Sequence, residues 1–447
     1  MKKLWRLLPL TVAIGFALAG PARAEGLLEL YDAARAYDAN WQSAKSQYDA
    51  NVARAEQARA GILPQASLSA GVTRSTLETN VNGAPVNPAV DRSFTTQQAT
   101  LSASQPLYRP ANLATYRQGE RQIELAEYQL TAASQDLMIR VSQAYFDVLA
   151  AQDTLAFVRA QKAATAEQLA SAKRNFEVGT STITDTREAQ ARYDLVLAQE
   201  IAAENDLRVK KLALDTLVGR TDVQPSPLAT GLEVPAPQPP VAEAWVGVSE
   251  QSSPAILQAR KAVEIAELET EKAKAGKKPT VDLTTSYGLT RNGGGSSTLA
   301  QTSRNNNGNI GVALQWPLFT GFAVENRIRE TLALEDKARA DLEATRRQVA
   351  QAVRTAFFGV LSGQNQVRAL ESAEASSQSA LDANRLGYQV GVRINIDVLN
   401  AQSQLFQTKR DLAQARYNVL LGHLRLRQAN GTLQAEDLAR LNTLLAR

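Results

Sequence analysis

The 447-residue chain contains no cysteine, which excludes disulfide staples, thiol catalysis and thiolate metal sites. Its single histidine, His423, stands beside Leu421 and Leu424 with no acid or nucleophile motif near it, so no catalytic residue, cofactor site or metal site is read from the sequence. A phosphate loop is lacking too. Gly293-Gly294-Gly295 has neither the lysine nor the following helix that such a loop requires. There is little charge of one sign. The formal net charge is +4, but Lys2, Lys3, Arg6 and Arg23 sit in the first 24 residues, and taking these four from the 49 basic side chains leaves 45 against 45 acidic ones. A nucleic-acid partner would leave a basic excess on some domain, and none is present. Beyond those first residues no apolar run reaches the roughly 20 residues of a spanning helix.

What stands at the start is a basic stretch, an apolar run from Leu10 to Ala19 and a small-residue end at Ala22-Arg23-Ala24. This reads as a secretory signal, residues 1–24, cut before Glu25. An exported chain without an apolar helix that enters the outer membrane must cross it as β-strands, because only helices and closed barrels satisfy their backbone in lipid.

The rest of the chain is written twice. Val141-Ser142-Gln143-Ala144-Tyr145-Phe146 matches Val353-Arg354-Thr355-Ala356-Phe357-Phe358, and Phe176-Glu177-Val178-Gly179 matches Tyr388-Gln389-Val390-Gly391, both 212 residues apart. Gly219 and Gly431 share that register, and Gln105-Pro106-Leu107-Tyr108 pairs with Trp316-Pro317-Leu318-Phe319 at 211. The organisation expected is a first repeat over 25–220, a proline-rich linker over 221–241 (Pro225, Pro227, Pro235, Pro237, Pro239, Pro240), a second repeat over 242–431 and a C-terminal tail over 432–447.

Within each repeat the hydrophobic period switches. Leu68, Ala70 and Val72 alternate with polar residues, as do Ala99, Leu101 and Ala103, around a polar loop holding Asn80, Asn82, Gly83, Pro85 and Pro88. The second repeat gives Val281 to Leu289 and Ile310 to Leu318, around a loop from Asn292 to Gly308. Strands of this length with one apolar face and long loops suit a barrel wall. Soluble hairpins are the other reading, which the export signal disfavours. Four strands are too few to close a barrel, which takes about eight, so strands in lipid require several copies. Proline-free runs from Ala111 to Val178 and Phe322 to Gln389 predict two helices of roughly 100 Å each. Single half-length helices are expected over Leu27 to Gly61, Asp185 to Val218, Val241 to Gly276 and Asp397 to Asn430. Pairs of these would stack end to end beside the long ones, with linker and tail at mid-height.

This duplicated order of strand pair, long helix, turn and short helix resembles the TolC family of outer-membrane efflux proteins over essentially the whole mature chain. The marks are the two helix turns, Phe176 to Asp185 and Gly387 to Asn400, and Pro317-Leu318-Phe319-Thr320-Gly321. Arg109-Pro110 departs from the family's usual small residues. The resemblance implies a mainly α fold with β: a trimeric channel-tunnel, four membrane strands per protomer making a shared 12-stranded barrel, and coiled helical hairpins forming a periplasmic tunnel. It further implies outer-membrane lipid around the barrel, a periplasmic adaptor (membrane fusion protein) docking at the turns of Gly179 and Gly391, and an inner-membrane transporter of the ABC or RND type. Locally, Asp185 and Asp397 read as N-caps or first-turn acids. The resemblance instead implies a latch in which Arg393 and Tyr388 bond to Asp185 and Thr184, and a pore constriction at Asp397, with Asn400 where many relatives carry a second acid. A periplasmic adaptor with helical hairpins is the alternative function, disfavoured by two tandem hairpins each preceded by a strand pair.

Overall fold

The computed structural model describes residues 25–79, 90–229, 236–297 and 301–445. The leader, the loop with Asn80, Asn82, Gly83, Pro85 and Pro88, and Pro235 of the linker lie outside the described residues.

Two helices lead each repeat where a single one was expected. In the first, α1 (Leu27–Tyr37) and α2 (Ala39–Arg59) meet at Asp38, whose carboxylate accepts the Trp41 amide at 2.7 Å and so starts a new helix. In the second, α5 (Ala242–Ser252) and α6 (Pro254–Ala275) meet at Ser253, held extended by the proline that opens the next helix. The periodicity runs through both breaks, so it hid them.

The sheet has order β1-β2-β3-β4, all antiparallel: β1 (Gln65–Thr79), β2 (Val90–Tyr108), β3 (Thr280–Gly293) and β4 (Ser303–Gln315). The second loop is shorter than expected, because Asn305, Asn306, Asn307 and Gly308 pair along β4 with Thr290, Leu289, Gly288 and Tyr287. At its other end β4 stops at Gln315, before Trp316 and Leu318. Register puts Leu68, Leu101 and Tyr287 in one row on one face, with Leu283 beside Val312 and Val281 beside Leu314. Leu68, Val72, Ile310, Val312 and Leu314 remain more than 60% exposed, so this apolar face has no cover among the described residues.

From the sheet two long helices descend, α3 (Pro110–Glu177) with 68 residues and α7 (Ala323–Gln389) with 67, each about 100 Å. Their return partners are α4 (Ile183–Val218) and α8 (Asn395–Ala429). The largest buried cluster lies midway, where α1 (Leu27, Leu30, Tyr31), the centre of α3 (Val141, Tyr145, Leu149), the end of α4 (Leu214, Val218) and the end of α8 (Leu420, Leu424) converge. Linker and tail gather there. The Tyr145 hydroxyl donates to the Ser226 carbonyl at 2.7 Å, and the Ala229 amide to the Leu444 carbonyl at 3.0 Å. A short helix in the tail, α9 (Ala435–Asn442), was not foreseen; it buries Leu438 in the same cluster.

Return and leading helices stack end to end through one device used twice. Gly219 and Gly431 end α4 and α8 with φ of 73° and 82°, the left-handed region that suits glycine. Neither position has room for a Cβ: at Gly219 it would strike the Tyr37 ring, and at Gly431 the Ser252 carbonyl. Each return helix thereby abuts the joint of the leading pair.

Candidate functional site

The end of the molecule farthest from the sheet is built from two turns of one design. Asn175 O accepts the amides of Thr180 at 2.8 Å and Ser181 at 3.2 Å; Gly387 O accepts those of Val392 at 2.9 Å and Arg393 at 3.1 Å. Gly179 and Gly391 supply the positive φ, 77° and 80°, that lets each chain reverse.

The two acids that follow are used differently. Thr182 and Asp185 form a reciprocal capping box: the Asp185 carboxylate accepts the Thr182 amide at 3.0 Å, and Thr182 Oγ1 accepts the Asp185 amide at 3.3 Å. In the second turn the N-cap is Ile394, whose side chain has no oxygen for a capping box, and Asp397 pairs instead with Arg393 at 3.6 Å. Within the chain, therefore, Arg393 and Tyr388 do not bond to Asp185 or Thr184. Of the two local readings, the first-turn acid is the one Asp185 fulfils, with Thr182 as the N-cap. Thr184 is exposed.

Other polar residues tie the hairpins together. Asn175 Nδ2 donates to the Tyr388 hydroxyl at 3.2 Å. Asn395, fully buried, accepts from Gln168 and donates to the Asp185 carbonyl at 3.3 Å. Arg192 donates to Asn400 Oδ1 at 2.8 Å. Gly387 lets the Arg393 stem lie against its backbone, since a Cβ there would meet Arg393 Cγ at 2.7 Å. Sequence reasoning missed Gln168, Asn175, Arg192 and Asn395. A signal was available: in the 212-residue register these face Ala380, Gly387, Gln404 and Ile183, so each of these four lies where the repeats differ.

At the opposite end, the unusual Arg109-Pro110 has a structural account. Pro110 opens α3, and Arg109 grips Asp282 of β3 through two bonds of 2.7 Å, joining the two repeats where strand becomes helix. Below the sheet Trp316, Leu318, Phe319 and Phe322 are all more than half exposed, as in the aromatic girdle at a membrane surface.

The outer membrane efflux protein family matches residues 30–220 and 245–432, both copies of the repeat and most of the chain. The chain belongs to that family. Among its relatives is the outer membrane protein TolC of Vibrio cholerae, 34% identical over 438 residues that cover 98% of each chain. TolC of Escherichia coli is 31% identical over the whole chain and 90% of its own length. The alkaline protease secretion protein AprF of Pseudomonas aeruginosa is 31% identical over 93% of this chain and 86% of its own. In fold the chain is similar to the outer membrane protein VceC of Vibrio cholerae, with a TM-score of 0.75 at 22% identity, covering 91% of this chain and 96% of that one. An outer membrane efflux protein of this fold is an exit duct for efflux or type I secretion, seated in the Gram-negative outer membrane and reaching into the periplasm. The adaptor alternative is set aside.

Proposed function

We propose that three copies assemble into one passive duct, with twelve strands closing a barrel in lipid and the helical hairpins closing a tunnel below it. The observation that carries this reading is the four-stranded sheet whose apolar face and two edge strands find no cover among the described residues. Edge strands cannot stay unpaired in a bilayer, and four strands cannot close on themselves. The duct performs no chemistry of its own; cargo is driven by an inner-membrane transporter of the ABC or RND type through a periplasmic adaptor that docks at the turns of Gly179 and Gly391. Relatives named for TolC, for protease secretion and for cobalt-zinc-cadmium resistance support both protein and small-solute cargo.

In this reading the distal turns are the gate. Asp397 of each copy faces the bore, and Arg393, freed from Asp397 in the assembled tip, bridges to Asp185 of the neighbouring copy. The bonds Asn175–Tyr388 and Gln168–Asn395–Asp185 hold the two hairpins of one chain together. Arg393→Ser with Tyr388→Phe is expected to raise single-channel conductance in planar bilayers, and Asn395→Ala to raise it further by releasing two bonds at once. Unchanged conductance in both variants rejects the gate.

A further inference from the structure

The apolar face of the sheet ends at its far rim in arginine. On β4 the face runs Leu314, Val312, Ile310, Gly308, Asn306, Arg304; on β3 it runs Val281 to Leu289 and then Arg291. Register sets Arg291 directly opposite Arg304, with Cβ atoms about 5 Å apart for such a pair. Both side chains are exposed, and neither is within ion-pair reach of an acid among the described residues. Like charges facing each other across a strand pair are destabilising, and the nearest arrangement that relieves them is an anion bound by both.

Height decides what kind of anion. Leu314 to Arg304 is ten residues, about 33 Å along the strand and about 25 Å projected along a barrel axis at the usual tilt. That is the height of the apolar band of an outer-membrane barrel. The helices leave from the Leu314 end, so the arginine pair lies at the outer surface of the membrane, on the face that meets lipid. Arg74 continues that face on β1 one row farther out, after Leu68, Ala70 and Val72. Its fellow acid on the strand, Glu78, stands four residues beyond, about 13 Å away.

We infer that Arg291 and Arg304, facing each other at the outer rim of the lipid-exposed sheet, bind the phosphate of a phosphorylated glycolipid of the outer leaflet, of which lipid A is the representative. Two guanidinium forks on adjacent strands can take one phosphate from both sides, while acyl chains lie along Tyr287, Leu289 and Ile310 below. If β4 of one copy meets β1 of the next, as the proposed trimer requires, Arg74 of that neighbour completes the site.

The test uses the full mature protein in nanodiscs of phosphatidylethanolamine with equal bisphosphorylated and dephosphorylated lipid A, read by native mass spectrometry. Protein mass reports the trimer independently of the lipid retained, so failure of assembly and failure of this site are separate results. Expected is retention of the bisphosphorylated form about tenfold above the dephosphorylated one. Arg291→Gln with Arg304→Gln abolishes that preference, whereas Arg92→Gln, from the opposite face of β2, keeps it. Should the glutamine pair fail to assemble, Arg291→Lys with Arg304→Lys retains the charge but loses the forks, and the preference drops severalfold. Equal retention of both lipids by the unaltered protein overturns the inference, as does an unchanged preference in the double variants. Displacement of the lipid by millimolar inorganic phosphate overturns it in favour of a free-anion site.

Discussion

At the residue scale, the gate is decided by which groups stand near each acid. Asn400 occupies the position one turn after Asp397, and its amide oxygen is engaged by Arg192 at 2.8 Å. The proposed constriction thus has one ring of acids with a ring of arginines a turn away, and a weaker cation preference than two rings of acids would give. Asn400→Asp alone is expected to raise the cation-to-anion permeability ratio only slightly, because Arg192 pairs with the new carboxylate. Combined with Arg192→Gln, it is expected to raise the ratio severalfold. Reversal potentials in asymmetric salt measure both, and equal effects from the single and double variants would refute the role of Arg192. A second acid matters for stability. Asp38 is 7% exposed, and the hydrogen bonds of Arg140 hold its carboxyl below the usual carboxylate range. A carboxyl with a lowered folded pKa contributes fully above its unfolded value near 4, and the contribution is lost as pH falls below that. Arg140→Ala, which strands a buried charge, is expected to cost about 3 kcal/mol at pH 7 and less at pH 3. Denaturant unfolding at the two pH values reads the difference.

At the scale of elements, the joints between stacked helices depend on Gly219 and Gly431. Alanine at either must adopt a left-handed conformation, at about 1–2 kcal/mol. The two sites differ in what the added methyl meets. The Tyr37 ring beside Gly219 belongs to a side chain 61% exposed that can swing outward, whereas Ser252 beside Gly431 presents its backbone carbonyl. Gly431→Ala is therefore expected to lower the thermal unfolding midpoint clearly more than Gly219→Ala, followed by helical circular dichroism. The same elements show what the sequence made legible. Long proline-free runs located α3 and α7 to within a residue or two, because nothing in a 68-residue helix competes with its period. The leading helices were read as unbroken because a cap such as Asp38 interrupts hydrogen bonding without interrupting the apolar spacing. Asn305 to Gly308 looked like loop by composition, yet these residues extend β4, since strand pairing with β3 satisfies their backbone whatever the side chains prefer. The tip glycines were legible because only their backbone angles matter. The hairpin ties were not, because Asn395 and Gln168 meet across two repeats whose mutual packing no local pattern encodes.

At the scale of the whole molecule, the absence of cysteine becomes an instrument. With sheet order β1-β2-β3-β4, the two edge strands of one chain are three strand spacings apart, about 14 Å, beyond the roughly 7 Å between Cα atoms that a disulfide tolerates. A cysteine on β1 and another on β4 can then join only between copies, and no native thiol competes. Pairs combining Ser69→Cys with a scan of Asn307→Cys, Asn309→Cys and Gly311→Cys, all on the polar face opposite the lipid, cover the stagger that a tilted barrel introduces. At the matching register, mild oxidation in native outer membranes is expected to give a denaturation-resistant band at three times the protomer mass, with dimer as its only precursor and nothing larger. A closed ring of three is the only arrangement that consumes every β1 and every β4 edge at that size. A ladder continuing past three would mean an open array, and monomer alone across the whole scan would mean that the edges never meet.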